Sequence, residues 1–277
     1  MVEVAAEAGL TFKHENGASE EKLMPETFGS GVAWIDYDIK NAPYCGFQRK
    51  GYRMYCDPQQ FDGVPDLLFR NNRNGTFTDV AYEACVGFDP HGKSMAGMGT
   101  EIADYDADGE PDIFMTAFSR KYNTLFRNQS NLLFEDVTIA AGLESGFLTL
   151  AFGTKLFDFD NDGDLDVVVA DCGGPPLLLR NDGGSRNQWL GIRARGAQSN
   201  RLGLGAKVRV TFGGRTLVRE IHTSGSYLSS SDPRLIFGLG SETKAERVEI
   251  EWPSGKKQTL EHVPARQNLL LEESEAR

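Results

Sequence analysis

Apolar and polar positions alternate with a period of two along much of the chain, most regularly in "AKVRVTF" (206–212) and "ERVEIEW" (246–252). That period puts one face of an extended segment in a core and the other in water, the signature of a half-buried β-strand. With "TLVREIH" (216–222) and "RLIFGL" (234–239), and turns at Gly213-Gly214 and "PSGK" (253–256), it predicts a compact sandwich of about 90 residues. Trp252 is read as an anchor of its core. Further upstream the apolar runs are short and are separated by Gly, Asn and Asp, which predicts short antiparallel strands rather than helices. Asn74-Gly75 is expected to make a two-residue hairpin turn.

The upstream part repeats itself. "GSGVAWIDYD" (29–38), "GMGTEIADYD" (97–106) and "AFGTKLFDFD" (151–160) share small residues, an apolar strand and spaced aspartates, recurring after 68 and then 54 residues. Each is followed by a second shared pattern: "LLFRNNRNGTFTDVAYEACVG" (67–87), "TLFRNQSNLLFEDVTIAAGLE" (124–144) and "LLLRNDGGSRNQWLGI" (177–192). A repeat that cannot bury its apolar face alone stacks on its neighbours, so each unit reads as a small sheet like a propeller blade. Arg70, Arg127 and Arg180 recur in these units, and recurrence points to a structural role such as bonding a neighbouring blade's carboxylate.

The aspartates carry the chemistry. In "DFDNDGDLD", Asp158, Asp160, Asp162 and Asp166 hold positions 1, 3, 5 and 9 of a loop, with Gly163 at position 6. Alternate residues of a tight loop can aim at one point, glycine permits the sharp turn, and carboxylate oxygen suits a hard cation such as calcium. Without a cation, so many carboxylates in one place repel and shift one another's pKa. "DYDADGEPD" repeats the spacing with Asp104, Asp106, Asp108, Gly109 and Asp112. Strand-forming residues follow both copies where an EF-hand would continue into a helix, so these are hairpin loops. The competing reading is a pair of Asp-rich turns that cap strands through side-chain hydrogen bonds.

A first copy is interrupted. Asp36 and Asp38 begin it, and "FDGVPDLLF" resumes it with Asp62, Gly63 and Asp66 after residues 39–61. Either a hairpin has been inserted into a working loop, or a deletion has fused the front of one blade to the back of another; these four aspartates are the weaker metal candidates. Within the interruption, Cys45 and Cys56 bracket ten residues and form a disulfide candidate for an oxidising compartment. Cys85 and Cys172 read as isolated core residues.

Charge narrows the function. The formal net charge is −11, but residues 1–185 hold 30 acids against 14 bases, a balance of −16, and residues 186–277 hold 10 acids against 15 bases, a balance of +5. An acidic first part argues against nucleic acid, which requires clustered Lys and Arg, and favours bound cations. No apolar run is long enough for a membrane span, and the first residues lack the basic start and apolar stretch of a signal peptide. His14, His91, His222 and His262 lie in unlike contexts, and no set of residues nominates a general base or nucleophile.

On these motifs the repeat resembles the FG-GAP or VCBS repeat of integrin-type β-propellers. The segment from "NQWLGIRARGAQSNRLGLGAKVRV" to "EWPSGKKQTL" (187–260) resembles the ASPIC/UnbV domain. The combination is similar to the cartilage acidic protein family and its bacterial relatives. The resemblance implies an all-β chain: a partial or short propeller over 1–185, with about three recognisable blades, then a small sandwich-like ASPIC/UnbV domain over 186–277. It implies calcium at Asp104, Asp106, Asp108 and Asp112 and at Asp158, Asp160, Asp162 and Asp166, and an extracellular or periplasmic location, the leader not being part of this chain. Family propellers have more blades, so open sheet edges here invite self-association. The resulting expectation is a non-enzymatic calcium-binding protein that binds a protein or glycan surface. The alternatives are an accessory factor or enzyme of a biosynthetic pathway, as with UnbV-like proteins, or a truncated relative without independent activity.

Overall fold

The computed structural model of the chain describes residues 48–49, 52–53, 64–118, 121–143, 150–172, 174–183, 186–226 and 230–274. The chain is essentially all-β: among the described residues every named element is a strand. Asp36, Asp38, Asp62, Cys45 and Cys56 lie outside the described residues.

The glycine- and asparagine-rich part builds hairpins and small sheets. β1 (Gln48–Arg49) pairs antiparallel with β2 (Tyr52–Arg53), and β3 (Phe69–Asn71) with β4 (Phe77–Asp79). β5 (Gly97–Ala103), β6 (Asp112–Ala117), β7 (Thr124–Asn128) and β8 (Phe134–Asp136) form a four-stranded sheet in chain order, the layout of one propeller blade. β9 (Ala151–Phe157), β10 (Asp166–Asp171) and β11 (Leu177–Leu179) form a three-stranded antiparallel sheet centred on β10. None of these sheets closes into a barrel.

Three local expectations are corrected. The Asn74-Gly75 turn is not a two-residue turn: Asn71 pairs with Phe77, leaving a five-residue loop, 72–76. Arg73 and Gly75 take left-handed backbone there (φ 62° and 88°), the Asn72 backbone amide donates to the Thr76 carbonyl at 3.0 Å, and Asn72 Nδ2 donates to the hydroxyls of Thr76 and Thr78 at 3.0 Å each, which closes the loop across its base. Two of the recurring arginines have an ion pair within their own segment. Arg127 pairs with Glu135 across its own hairpin at 2.8 Å, and Arg180 with Asp182 at 2.6 Å, both exposed pairs worth little. The asparagine beside each arginine does the shaping: the Oδ1 atoms of Asn71, Asn128 and Asn181 each accept the amide two residues on, at 2.8, 3.0 and 3.1 Å. Finally, Cys85 and Cys172 are exposed thiols, not core residues; Cys85 sits at the left-handed end of a tight turn (φ 61°) closed by the Val86 amide on the Ala81 carbonyl.

The alternating C-terminal segments become two facing sheets. β12 (Gln188–Arg195) is flanked by β15 (Leu235–Gly240), antiparallel, and β18 (Gln267–Glu272), parallel. β13 (Lys207–Phe212) lies between β14 (Arg215–Glu220) and β16 (Lys244–Glu251), and β17 (Lys257–Pro264) pairs with β16. The β13–β14 connection is the expected Gly213-Gly214 turn, both glycines at positive φ. Leu190 and Ile192 of β12, Phe237 and Leu239 of β15, Val208 and Val210 of β13, and Val248 and Ile250 of β16 share one core with Trp252, each essentially solvent-free. At roughly 1.5–3 kcal/mol per fully buried large apolar side chain, this cluster is the main source of stability for the sandwich.

The chain end is tied down by a carboxylate. Glu273 is buried, and its Oε2 accepts the amides of Ala197, Gln198 and Ser199, each at 2.8 Å, while Oε1 accepts the hydroxyls of Ser199 and Ser254. Burial alone would raise its pKa, but these donors outweigh it and hold the group at about 2. A folded pKa below the unfolded value stabilises above the unfolded pKa and is lost as pH falls through the folded one. Glu273→Gln, which cannot accept all these bonds, is therefore expected to melt several degrees lower at pH 7. The gap to the parent should close as pH drops from about 4.5 towards 2 in a thermal-melt series; a gap independent of pH in that window would rule out the carboxylate as the cause.

Candidate metal centre

By proximity the chain forms two compact units, and the second holds Thr100–Phe114 together with the residues from Ala151 onward. Both complete aspartate loops, 104–112 and 158–166, therefore lie in the same unit as the C-terminal sandwich.

In the first loop the ligand oxygens of Asp104, Asp106 and Asp108 come within 4.8 Å of one another. Left-handed backbone at Ala107 (φ 59°) and Gly109 (φ 90°) curls the chain around them. One oxygen of each carboxylate has a bond within the loop: Asp104 Oδ2 accepts the Gly109 amide at 3.0 Å, Asp106 Oδ1 the Asp108 amide at 3.3 Å, and Asp108 Oδ1 the Glu110 amide at 2.7 Å. Asp112 does not join this trio; it is buried at the start of β6 and its Oδ2 accepts the Tyr105 amide at 3.0 Å.

The second loop repeats the plan with a shifted membership. Asp158, Asp160 and Asp166 bring ligand oxygens within 4.8 Å of one another, with left-handed backbone at Asn161 and Gly163. Asp166 accepts the amides of Phe159 and Asn181, both at 2.8 Å, so it both frames the loop and faces it. Asp162 is exposed and outside the trio, its Oδ1 accepting the Asp164 amide at 3.1 Å. Asp164, which the spacing argument passes over, is almost fully buried. Its position between two motif residues was the available signal.

The side-chain turns of the competing reading are thus present, but they do not use up the carboxylates. Among the described residues, Asp104 Oδ1, both oxygens of Asp158 and both oxygens of Asp66 are buried without a hydrogen-bond partner, the Gly163 and Asn161 amides coming close enough to Asp158 only to oppose the rise of its pKa. A buried, unpaired carboxylate is costly, and the chain responds by favouring the proton. Burial raises Asp104 to about 7, against the pull of Arg219 and with a push from Asp108 and Asp106; burial likewise raises Asp66 to about 7 and Asp158 above the ordinary range. Two clusters of oxygen-only donors with orphaned buried lone pairs fit a hard cation.

The sandwich meets both loops through one cross-strand pair. Core residues Leu190, Phe237 and Leu239 point inward, so Trp189 and Gly238, which are register partners, point outward. A Cβ on Gly238 would lie 2.1 Å from Asp104 Oδ2 and 2.5 Å from the Ala107 backbone, and a Cβ on Gly163 would overlap the Trp189 indole. Backbone and side-chain bonds complete the contact. The Gly240 amide donates to the Ala107 carbonyl at 3.0 Å, Asn187 Nδ2 to the Asp106 carbonyl at 2.9 Å, and Asn181 Nδ2 reaches the Tyr105 and Leu165 carbonyls, joining the two loops. Arginines surround the acids: Arg215 holds Glu110 and the Asp108 carbonyl, and Arg234 holds Asn161 and the Asp158 carbonyl.

Two family models match this chain. ASPIC and UnbV matches residues 196–277, and an FG-GAP-like repeat matches residues 104–169, from the first aspartate of the first loop through most of β10. The chain is similar to "Cartilage acidic protein 1" of Homo sapiens, 27% identical over 311 aligned residues covering 98% of this chain and 46% of that protein. The same-named proteins of Mus musculus and Xenopus tropicalis are 26% and 24% identical, covering 79% and 87% of this chain and 42% and 44% of theirs. The chain thus spans less than half the length of the curated relatives it matches. Among the described residues, no helix is long and apolar enough to cross a membrane.

Two outcomes follow from the geometry. Gly238→Ala should lower the melting temperature by displacing the first loop, since the obstructing Ala107 atoms are backbone and cannot rotate away; an unchanged melt would contradict the docked arrangement. In chelator, Asp104 and Asp66, with folded pKa values of about 7 above the unfolded 3.8, bind protons that the unfolded chain releases. The metal-free chain should therefore lose stability as pH rises from about 4 to 7 and level off above, the reverse of the Glu273 trend.

Proposed function

We propose that the protein is a non-catalytic, calcium-binding extracellular repeat protein whose two aspartate loops each take a calcium ion, and that it acts by presenting a surface to a protein or glycan partner. The observation that carries the reading is the set of buried carboxylate oxygens without hydrogen-bond partners inside clusters of spaced aspartates, at Asp104 and Asp158. Oxygen-only donors favour calcium or magnesium over softer metals, and irregular loop donors suit calcium's flexible coordination better than magnesium's strict octahedron. The FG-GAP-like match over 104–169 covers both loops. Similarity to a protein named for cartilage supports a location outside the cell.

Filling the loops neutralises carboxylates that otherwise favour protons, and it bonds the orphaned oxygens, so calcium stabilises the folded chain by mass action. At calcium about a hundredfold above Kd the gain is about 2.7 kcal/mol per site, roughly 5–10 °C for a chain of this size. The Asp106→Ala/Asp160→Ala double variant should lose most of the rise, measured by calorimetry with and without chelator. An undiminished rise in the double variant would refute the site assignment.

A further inference from the structure

The second unit encloses a cavity of about 300 Å3 between β5, β9 and the β14–β15 edge of the sandwich, with His222, Asp232 and Arg234 at one end. Its volume is at the lower end of roughly 300–1,000 Å3 for small-molecule sites. Four cationic or titratable basic groups border it, and three are already committed. Lys155 forms an ion pair with Glu101, both little exposed. Arg234 uses its whole fork: Nε on Asp232 at 2.7 Å, one terminal nitrogen on Asn161 at 2.8 Å, the other on the Asp158 carbonyl at 2.9 Å. His222 Nδ1 faces the Ser224 carbonyl at 2.6 Å.

Arg219 differs. Half-buried, it engages a single N–H among the described residues, on the Ile236 carbonyl, while its Cζ lies 5.2 Å from the centroid of the Phe237 ring. Asp104 and Asp112 act on it through space. A guanidinium has five N–H donors, and a half-buried one with most of them unengaged at a cavity wall is set up to receive an acceptor. Beside it the wall is apolar: Leu235 is part-buried, and Ile102 leaves 64% of its surface exposed.

We propose that this cavity binds a small organic carboxylate with a short apolar body, the carboxylate on Arg219 and the body against Ile102 and Leu235. A planar monoanion matches the guanidinium fork. A phosphate group carries more charge and would face Glu101, Glu220, Asp158 and Asp232, all of which also border the cavity. Arg219, Ile102 and Leu235 lie outside the two aspartate trios, while Asp158 of the second trio borders the cavity.

Isothermal titration of the full chain with benzoate and with hexanoate tests it, with benzamide and inorganic phosphate as comparators. Saturable benzoate binding is expected, with benzamide and phosphate weaker by roughly tenfold or more, because the paired charge and the apolar contact are each lost in one of them. Arg219→Gln should weaken benzoate at least as much. If that variant does not fold, Ile102→Glu, at an exposed position, should still repel the anion and weaken it by a similar factor. Absence of saturation, equal binding of benzamide, tighter binding of phosphate, or unchanged benzoate affinity in a folded variant would each overturn the proposal.

Discussion

The structure of the second unit turns on carboxylates held out of water. Asp104, Asp112, Asp158 and Asp166 are each at most 2% exposed, yet they sit in loops rich in further acids. Such a concentration of buried like charge is tolerable only if something offsets it. The fold supplies three partial offsets: backbone amides on most of the carboxylates, arginines of the sandwich around the loops, and proton uptake at the groups left over. Among the described residues, no amide bonds Asp104 Oδ1 or either oxygen of Asp158. That residue of unmet demand is what an oxygen-seeking cation would satisfy, and it is why the loops read as more than strand caps.

The same demand explains the shape of the sandwich's outer face. A three-stranded sheet with a solvent-facing side would ordinarily place polar side chains there. Instead β12 and β15 put Trp189 and Gly238 side by side, one large and one absent, and the two loops occupy the relief they create. Gly238 is there for space rather than for backbone freedom, because any Cβ would strike the Asp104 carboxylate. Trp189 closes the second loop over Gly163. The basic balance of the C-terminal third, +5, then has a local meaning: Arg215 and Arg234 are spent against an acidic surface of the same unit.

Much of this was legible in the sequence, and the exceptions have physical reasons. Period-two alternation in 206–212 and 246–252 identifies β13 and β16 because their inward residues face one apolar core. The aspartate spacing identifies both loops because alternate residues must point to a common centre. What spacing alone does not give is which side chains already converge. Asp112 and Asp162 lie outside the two trios of oxygens within 4.8 Å, a detail set by three-dimensional curl. The "RN" repeats draw the eye to arginine, whose charge is conspicuous, whereas the shorter asparagine shapes the turn through a bond two residues away. Cys85 reads as core by composition, but a left-handed turn directs it outward. The pairing of Trp189 with Gly238, residues 49 apart in sequence, has no local signature at all, because it arises from the register of two strands.

Placing acidic loops under a sandwich changes what a cation would control. An ion at the exposed rim of a lone blade would stiffen only that loop. Here the residues that shape the loops and those that cover them share bonds: Gly240 with Ala107, Asn187 with Asp106, Asn181 with both loops, and Arg234 with Asp158. Any group that fixes Asp104 or Asp158 in place thereby fixes the backbone on which the sandwich rests, and anything that loosens the cover exposes buried carboxylates to water. The free energy of filling a loop and that of packing the sandwich over it are therefore not independent quantities, and neither segment's stability can be assigned without the other.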